Sequence, residues 1–312
     1  MSAPLLSPVT VVHDPADTGQ VALAKGRRLA EGLDGRLALF SCEFDAALEG
    51  SHFRHSERLE AARRARVDAG RASLEALAEP LRAAGLEVSI QAVYEHPRHE
   101  SIARHALQCP AGAVVMRTHY HPWLDQAVLS AADWQLIRLC PAPLLLVKQR
   151  PWSASPLLLA AVDPGHVDDR HVRLEKDILD AAGALAAALG GQVRVAHCYL
   201  SAAALQASQR GAAPVTGSGP AEDCVAARRA VLVKLLDGRG IPADHLRIAE
   251  GRPEVELPRM ASEFDTDVLV TGGVSRGRIE QVLIGGTAER MLDRLTCDLL
   301  VVKRADFRCP LV

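Results

Sequence analysis

No stretch of this 312-residue chain runs for 18 or more apolar residues, so nothing in it reads as a membrane-spanning helix. Its cysteines include no C-x-x-C pair. Cys42, Cys109, Cys140, Cys198, Cys224, Cys297 and Cys309 form an odd, scattered set, which argues against a disulfide framework or a zinc knuckle and suits a reducing compartment. Charge of one sign is missing too. With 36 basic and 38 acidic residues the formal net charge is -2, which excludes a bulk electrostatic pull toward nucleic acid or anionic lipid, so partners must be recognised locally. The opening stretch MSAPLLSPVTVVHDP lacks a basic region followed by a long apolar one, so no export signal is expected and cytoplasm is the expected location. Catalytic signatures are also lacking: there is no G-x-S-x-G elbow, no G-x-x-x-x-G-K-(S/T) loop, no H-E-x-x-H helix and no S-G-G-x-D-S loop.

What the chain does contain is repetition. The strand-like runs 9-VTVVHDP-15 and 157-LLLAAVDP-164 both end in Asp-Pro, and 142-APLLLVK-148 recurs as 297-CDLLVVK-303, an offset of 155 positions. A chain 48% hydrophobic in composition is long enough for two such copies to bury a core each. The expected domains are therefore 1–150 and 151–312, joined near 149-QRPWSASP-156.

Within each copy, short apolar runs alternate with longer segments of helical period. The first copy reads as strands near 9–13, 36–42, 87–93, 113–117 and 143–148, with helices near 17–32, 56–84, 98–108 and 131–139. The second reads as strands near 157–162, 192–198, 245–249, 267–271 and 298–302, with helices near 170–189, 221–238, 253–263 and 287–295. Strict alternation with fully apolar strands predicts an α/β fold of two tandem Rossmann-like domains, each a five-stranded parallel sheet covered by helices. Ligands in such sheets collect beyond the carboxyl ends of the strands at the switch point, which is where Asp14 and Asp163 fall. Each Asp is read as capping the helix that follows or as touching a ribose hydroxyl. Ala46 to Ser56 and 207-ASQRGAAPVTGSGPAED-223 read as mobile loops.

The segment 271-TGGVSRGRIEQVLIGGT-287 follows one of these strands and precedes a helix. Gly272, Gly273, Gly277, Gly285 and Gly286 permit close approach of a ligand to the backbone, Thr287 suits an N-cap or a phosphate contact, and Arg276 and Arg278 could add charge-assisted bonds. A surface crossover with solvated arginines is the bland alternative.

The whole pattern resembles the universal stress protein family: a strand ending in Asp163, the step 251-GRP-253, a loop of form Gly-x2-Gly-x9-Gly-(Ser/Thr) from Gly272 to Gly285, then 288-AER-290 and 299-LLVVK-303. The resemblance covers nearly the entire chain as a tandem. It implies a Rossmann-like fold of the adenine nucleotide alpha hydrolase-like kind, a role in stress survival, frequent dimerisation, and ATP or AMP in the crevice of many members. Carried over, the binding positions are Asp163, Gly272, Ser275, Gly285, Gly286 and Thr287, with Mg²⁺ accompanying ATP. Ser275 stands where the motif has its second glycine, and Gly286 where it has a hydroxyl. The resemblance also implies pairing of last strands, satisfied inside the chain as a pseudo-dimer with 143-PLLLVK-148 beside 298-DLLVVK-303, and association into a homodimer.

In the first copy Arg117, Tyr120, Ser130 and Ala131 stand at the places of Gly272, Ser275, Gly285 and Gly286, so the phosphate cradle reads as lost. There 117-RTHYHPWLDQ-126, with Asp133 and Trp134, reads as lining a different polar pocket or, for Trp134, as interface packing. The histidines of 52-HFRH-55, 96-HPRH-99 and 119-HYH-121, with His105, match no metal fingerprint, so no metal site is expected, while His13 and His197 read as hydrogen-bonded strand residues. The expected function is a non-enzymatic cytoplasmic stress-response protein whose second domain binds a small phosphorylated ligand. The alternatives are a slow ATP hydrolase or phosphoryl-transfer enzyme using Glu280 or Glu289, and a scaffold with vestigial sites.

Overall fold

The computed structural model of the chain describes residues 8–49, 57–109, 112–118, 120–121, 126–127, 130–164, 169–201, 221–273 and 294–311. They fall into two units, one of Ala3–Gln149 with Asp306–Val312 and one of Arg150–Ala305. The repeat had counted the last residues with the second half. They group with the first, and the tail is not a solvated end, since Cys309 is 4% exposed.

In the first unit the parallel strands are β1 (Val9–Val12), β2 (Arg36–Glu43), β3 (Glu87–Tyr94), β4 (Ala113–Arg117) and, after a hairpin, β7 (Leu144–Val147). Their order across the sheet is β3-β2-β1-β4-β7. All four residues of β1 and of β7 are buried, as continuous apolar runs must be when helices cover both faces. On β3, at the edge, Val88 alone is buried. The helices are α1 (Val21–Gly32), α2 (Ala46–Glu49), α3 (Glu57–Ala83), α4 (Arg98–Gln108) and α5 (Ala131–Leu139). On α3 the buried set Gly70, Leu74, Ala78 and Leu81 recurs every three or four residues, one stripe laid against β2 and β3. Where α1 crosses β1, a Cβ added to Gly26 would sit 2.2 Å from Val11 Cγ2, so that contact admits only glycine. The hairpin β5 (Tyr120–His121) and β6 (Gln126–Ala127) was not expected, since two-residue strands leave no periodic signal.

The second unit repeats the plan with β8 (Leu157–Ala161), β9 (Gln192–Tyr199), β10 (Leu246–Glu250), β11 (Val268–Gly272) and β12 (Asp298–Val302), parallel in the order β10-β9-β8-β11-β12. Its helices are α6 (Asp169–Leu189), α7 (Ala221–Leu236) and α8 (Pro253–Glu263). The chain leaves β8 toward β9 and β10 and returns across them to β11, which makes the β8/β11 boundary the switch point. The helix expected near 287–295 lies largely outside the described residues, as does most of 207–223 and of Ala46 to Ser56. No described helix is long and apolar enough to cross a membrane.

The stretch expected to be a joint, 149–156, is built into the second unit from Arg150 onward. The Trp152 indole N–H donates to Asp298 at 2.8 Å. Asp267 accepts from the Ser153 backbone at 3.0 Å, the Ser153 hydroxyl at 2.8 Å and the Leu157 backbone at 3.0 Å. Both carboxylates are buried at the amino ends of β11 and β12, so these bonds hold their charges as well as the incoming chain.

Candidate functional site

At the switch point of the second unit, Val268, Leu269 and Val270 of β11 lie opposite Leu158, Leu159 and Ala160 of β8. Continued in step, that register sets Asp163 beside Gly273 at the carboxyl edge of the sheet. The peptide group between Val162 and Asp163 is held at both ends. Its carbonyl accepts from His197 Nδ1 at 3.0 Å, and its N–H donates to Glu175 Oε2 at 3.0 Å. His197 is 1% exposed, and burial pushes its pKa down, so the ring is neutral with its proton on the nitrogen that faces the carbonyl. The Asp163 carboxylate lies 3.9 Å from the same ring nitrogen and keeps 37% of its side-chain surface exposed.

Gly272 has a packing reason to be glycine. A Cβ there would come within 2.8 Å of Leu174 Cδ2 on α6, and one at Gly273 within 2.8 Å of Val301 Cγ1. The Gly273 N–H is already spent on the Val302 carbonyl at 2.7 Å, so it is not available to a ligand at this edge. Ser275, Gly285, Gly286 and Thr287 lie outside the described residues, together with Arg276, Arg278, Gly277, Glu280 and Glu289.

The first unit treats the same places differently. Arg98, at the start of α4, donates to Asp14 Oδ2 at 3.2 Å and to the His13 carbonyl at 3.0 Å. Arg117, at the end of β4, donates to Asp17 Oδ1 at 3.2 Å and to the Ala16 carbonyl at 3.1 Å, and its side chain is only 14% exposed. Two guanidinium groups thus strap residues 13–17 across the crevice. Asp14 does not cap α1 as expected. Six residues separate them, the Asp14 carboxylate closes a turn on the Ala16 N–H at 2.9 Å, and Asp17 instead accepts from Ala22 in the first turn at 3.1 Å. Asp163 lies six positions before Asp169, the first residue of α6, and residues 165–168 between them lie outside the described residues. Beneath the strap, a cleft lined by His13, Asp14, Gln20, Leu39, Leu74 and Leu77 encloses ≈ 20 Å³, about the room one water needs.

Asp133 does not line a pocket either. The Ser130 hydroxyl accepts the Asp133 N–H at 3.2 Å while the Asp133 carboxylate accepts the Ser130 N–H at 2.8 Å, a capping box that satisfies the amino end of α5 and fills it with negative charge. Asp133 is fully buried and Trp134 half-buried. The Ser-x-x-Asp spacing carried this signal in the sequence; Glu175, on a helix twelve residues from Asp163, carried none. His119 and Trp123, with His52 and His55, lie outside the described residues.

Among the described residues, no group of three His, Cys, Asp or Glu side chains could hold a metal ion. His105 stacks on Phe40 with ring centroids 4.3 Å apart, its Nδ1 2.9 Å from Gln91 Oε1, and burial lowers its pKa. His96 stacks on Phe44 at 4.1 Å. Burial, reinforced by Glu256 and Asp163, pushes the Cys198 thiol up to about 12. It is therefore no nucleophile at neutral pH.

Each half is thus a doubly wound α/β unit whose polar residues gather at the carboxyl edge of its sheet around a strand-end aspartate. That is the architecture of Rossmann-like ligand-binding domains, here in tandem. The model of the universal stress protein family matches residues 6–148 and 167–303, and the chain belongs to that family. Universal stress protein E of Escherichia coli (strain K12) is 26% identical over 312 positions, covering 96% of this chain and 95% of its own length. The Haemophilus influenzae homolog is 25% identical over 301 positions, covering 95% and 96%. Among solved structures, a functionally unknown protein of Pseudomonas aeruginosa PAO1 is 28% identical with a TM-score of 0.71, over 96% of this chain and 92% of that one.

Proposed function

We propose that this universal stress protein divides its labour. The second half binds an adenine nucleotide, ATP or AMP, through Asp163 and the 272–287 loop, and the first half binds none. The observation that carries the reading is the Ser130–Asp133 capping box. In the first half a carboxylate occupies the helix amino end where the family's loop would deliver a phosphate, and repels one. At the 155 offset the second half has Ala288 in place of Asp133, so no acidic side chain competes at that position. The crevice aspartates follow the same division: Asp14 is bound by Arg98, whereas Asp163 keeps more than twice its exposure, 37% against 17%. An acceptor of that kind suits sugar hydroxyls.

The protein is non-enzymatic in this reading and works in the cytoplasm, with binding favouring one conformation. Mg²⁺ would enter with ATP, on the phosphates. A homodimer is the expected state, read by sedimentation equilibrium. Titration calorimetry of the whole chain with ATP and AMP tests the reading. Saturable heat that Gly285→Val removes is the expected result, and no heat from the wild type overturns it. Slow ATP hydrolysis is the second reading, and turnover lost in Glu280→Ala would favour it.

A further inference from the structure

We propose that Glu175 and His197 are positioning residues for the nucleotide site, acting through the one peptide group they grip between them; the inference rests on the proposed binding at Asp163. Val162 already spends its own N–H on the Ala196 carbonyl at 2.9 Å, the last rung of the sheet on that side. The next peptide lies past the end of β8 and has no strand neighbour to fix its plane. His197 takes its carbonyl from the side of β9 and Glu175 its N–H from the side of α6. With both polar ends of the plane bound, rotation about the flanking bonds is arrested, and so is the direction in which the Asp163 side chain leaves the backbone.

Burial makes the grip firm. Glu175 is 4% exposed and His197 1%, so water does not compete for either bond. A buried acceptor that lost this bond would go unsatisfied, so the contact is costly to break. The imidazole contributes only as a donor at Nδ1, which it remains in either protonation state.

The first half shows what happens without the clamp. Twelve residues past its strand-end aspartate it has Gly26, where the 2.2 Å approach to Val11 leaves no room for any side chain. No glutamate can therefore stand at that position of α1. Arg98 holds the matching carbonyl, that of His13, and in doing so also binds the Asp14 carboxylate. One arrangement orients an aspartate by neutralising it. The other orients it through the main chain, and the position that matches Arg98 is Pro253.

The test uses the whole chain, AMP as the probe, and Glu175→Ala beside Glu175→Gln. The amide oxygen of glutamine still accepts the Asp163 N–H, whereas alanine offers nothing. Calorimetry is expected to give about tenfold weaker AMP binding for E175A, the loss of roughly one orienting hydrogen bond, and near wild-type affinity for E175Q. Equal affinity in E175A, or no rescue by E175Q when its melting temperature matches the wild type, overturns the proposal. Exchange of the Asp163 amide, followed by NMR, reads the clamp without ligand. Slow exchange in the wild type that becomes fast in E175A supports it, and unchanged exchange overturns it. Should the wild type bind no AMP, the nucleotide reading falls by itself, and the exchange result alone decides whether the peptide is clamped.

Discussion

Trp152 and Asp298, 146 positions apart, share a buried hydrogen bond of 2.8 Å in which the indole N–H is the donor. With the bonds from Ser153 and Leu157 to Asp267, it ties the chain entering the second unit to the starts of β11 and β12. Asp267→Ala deletes the acceptor for three donors. It is expected to lower stability by about 3 kcal/mol, and Trp152→Phe, which keeps most of the buried ring, by about 1 kcal/mol. Urea unfolding followed by far-ultraviolet circular dichroism measures both, and a change below ~0.5 kcal/mol in Asp267→Ala would contradict the assignment.

Asp133→Ala breaks the capping box at α5 and is expected to cost about 1 kcal/mol. The same variant removes the carboxylate from the helix amino end. Phosphate or AMP heat arising in a chain that also carries Gly285→Val would mean that this carboxylate alone had kept the first half empty.

Pro253→Arg places a guanidinium where the first half has Arg98. Arginine is accepted in a first helical turn, and here it is expected to pair with Asp163 and weaken AMP binding by tenfold or more. Calorimetry reads the loss directly, and unaltered affinity with an unaltered melting temperature would show that Asp163 does not face the ligand.

Acid should destabilise the fold earlier than its carboxylates alone would. His105 and His197 are both buried with lowered pKa values, so they stay neutral in the folded chain while the unfolded chain takes up protons as pH falls through the ordinary 6.5. The unfolded state then binds more protons, and stability declines on going down. The effect is absent above about pH 7.5, and each histidine adds up to about 1.4 kcal/mol per pH unit below 6.5. Urea midpoints at pH 8, 6.5 and 5.5 check this, and His105→Gln should flatten the slope.

Thiol labelling should be selective. Cys109 is exposed, Cys42 is half-buried with a raised pKa, and Cys198 is held at about 12. Brief iodoacetamide treatment at pH 7.5 is expected to modify Cys109 first among the described cysteines, which peptide mass spectrometry reads out.

The strands were legible because burial on both faces forces runs such as Leu144–Val147 and Asp298–Val302 to be apolar throughout or nearly so, and the helices because Gly70, Leu74, Ala78 and Leu81 keep helical spacing. Asp163 and Gly272 could be placed at strand ends for the same reason. What decides their surroundings could not. Arg98 meets Asp14 across 84 residues and Arg117 meets Asp17 across 100, separations at which only the folded topology makes neighbours. Glu175 looked like any charge on an amphipathic helix, although it is buried. The Ser130–Asp133 spacing was visible in the sequence, yet its carboxylate was read as pocket lining because Trp134 stands next to it.

The anchoring of Trp152 and Ser153 sets where the gene can be cut. A recombinant second half that started at Pro156 would lose the Trp152 bond to Asp298 and both Ser153 bonds to Asp267, keeping of these anchors only the Leu157 N–H to Asp267. One that started at Arg150 would carry its own fastening, including the ion pair from Arg150 to Asp265 at 2.7 Å, and yield the more soluble product.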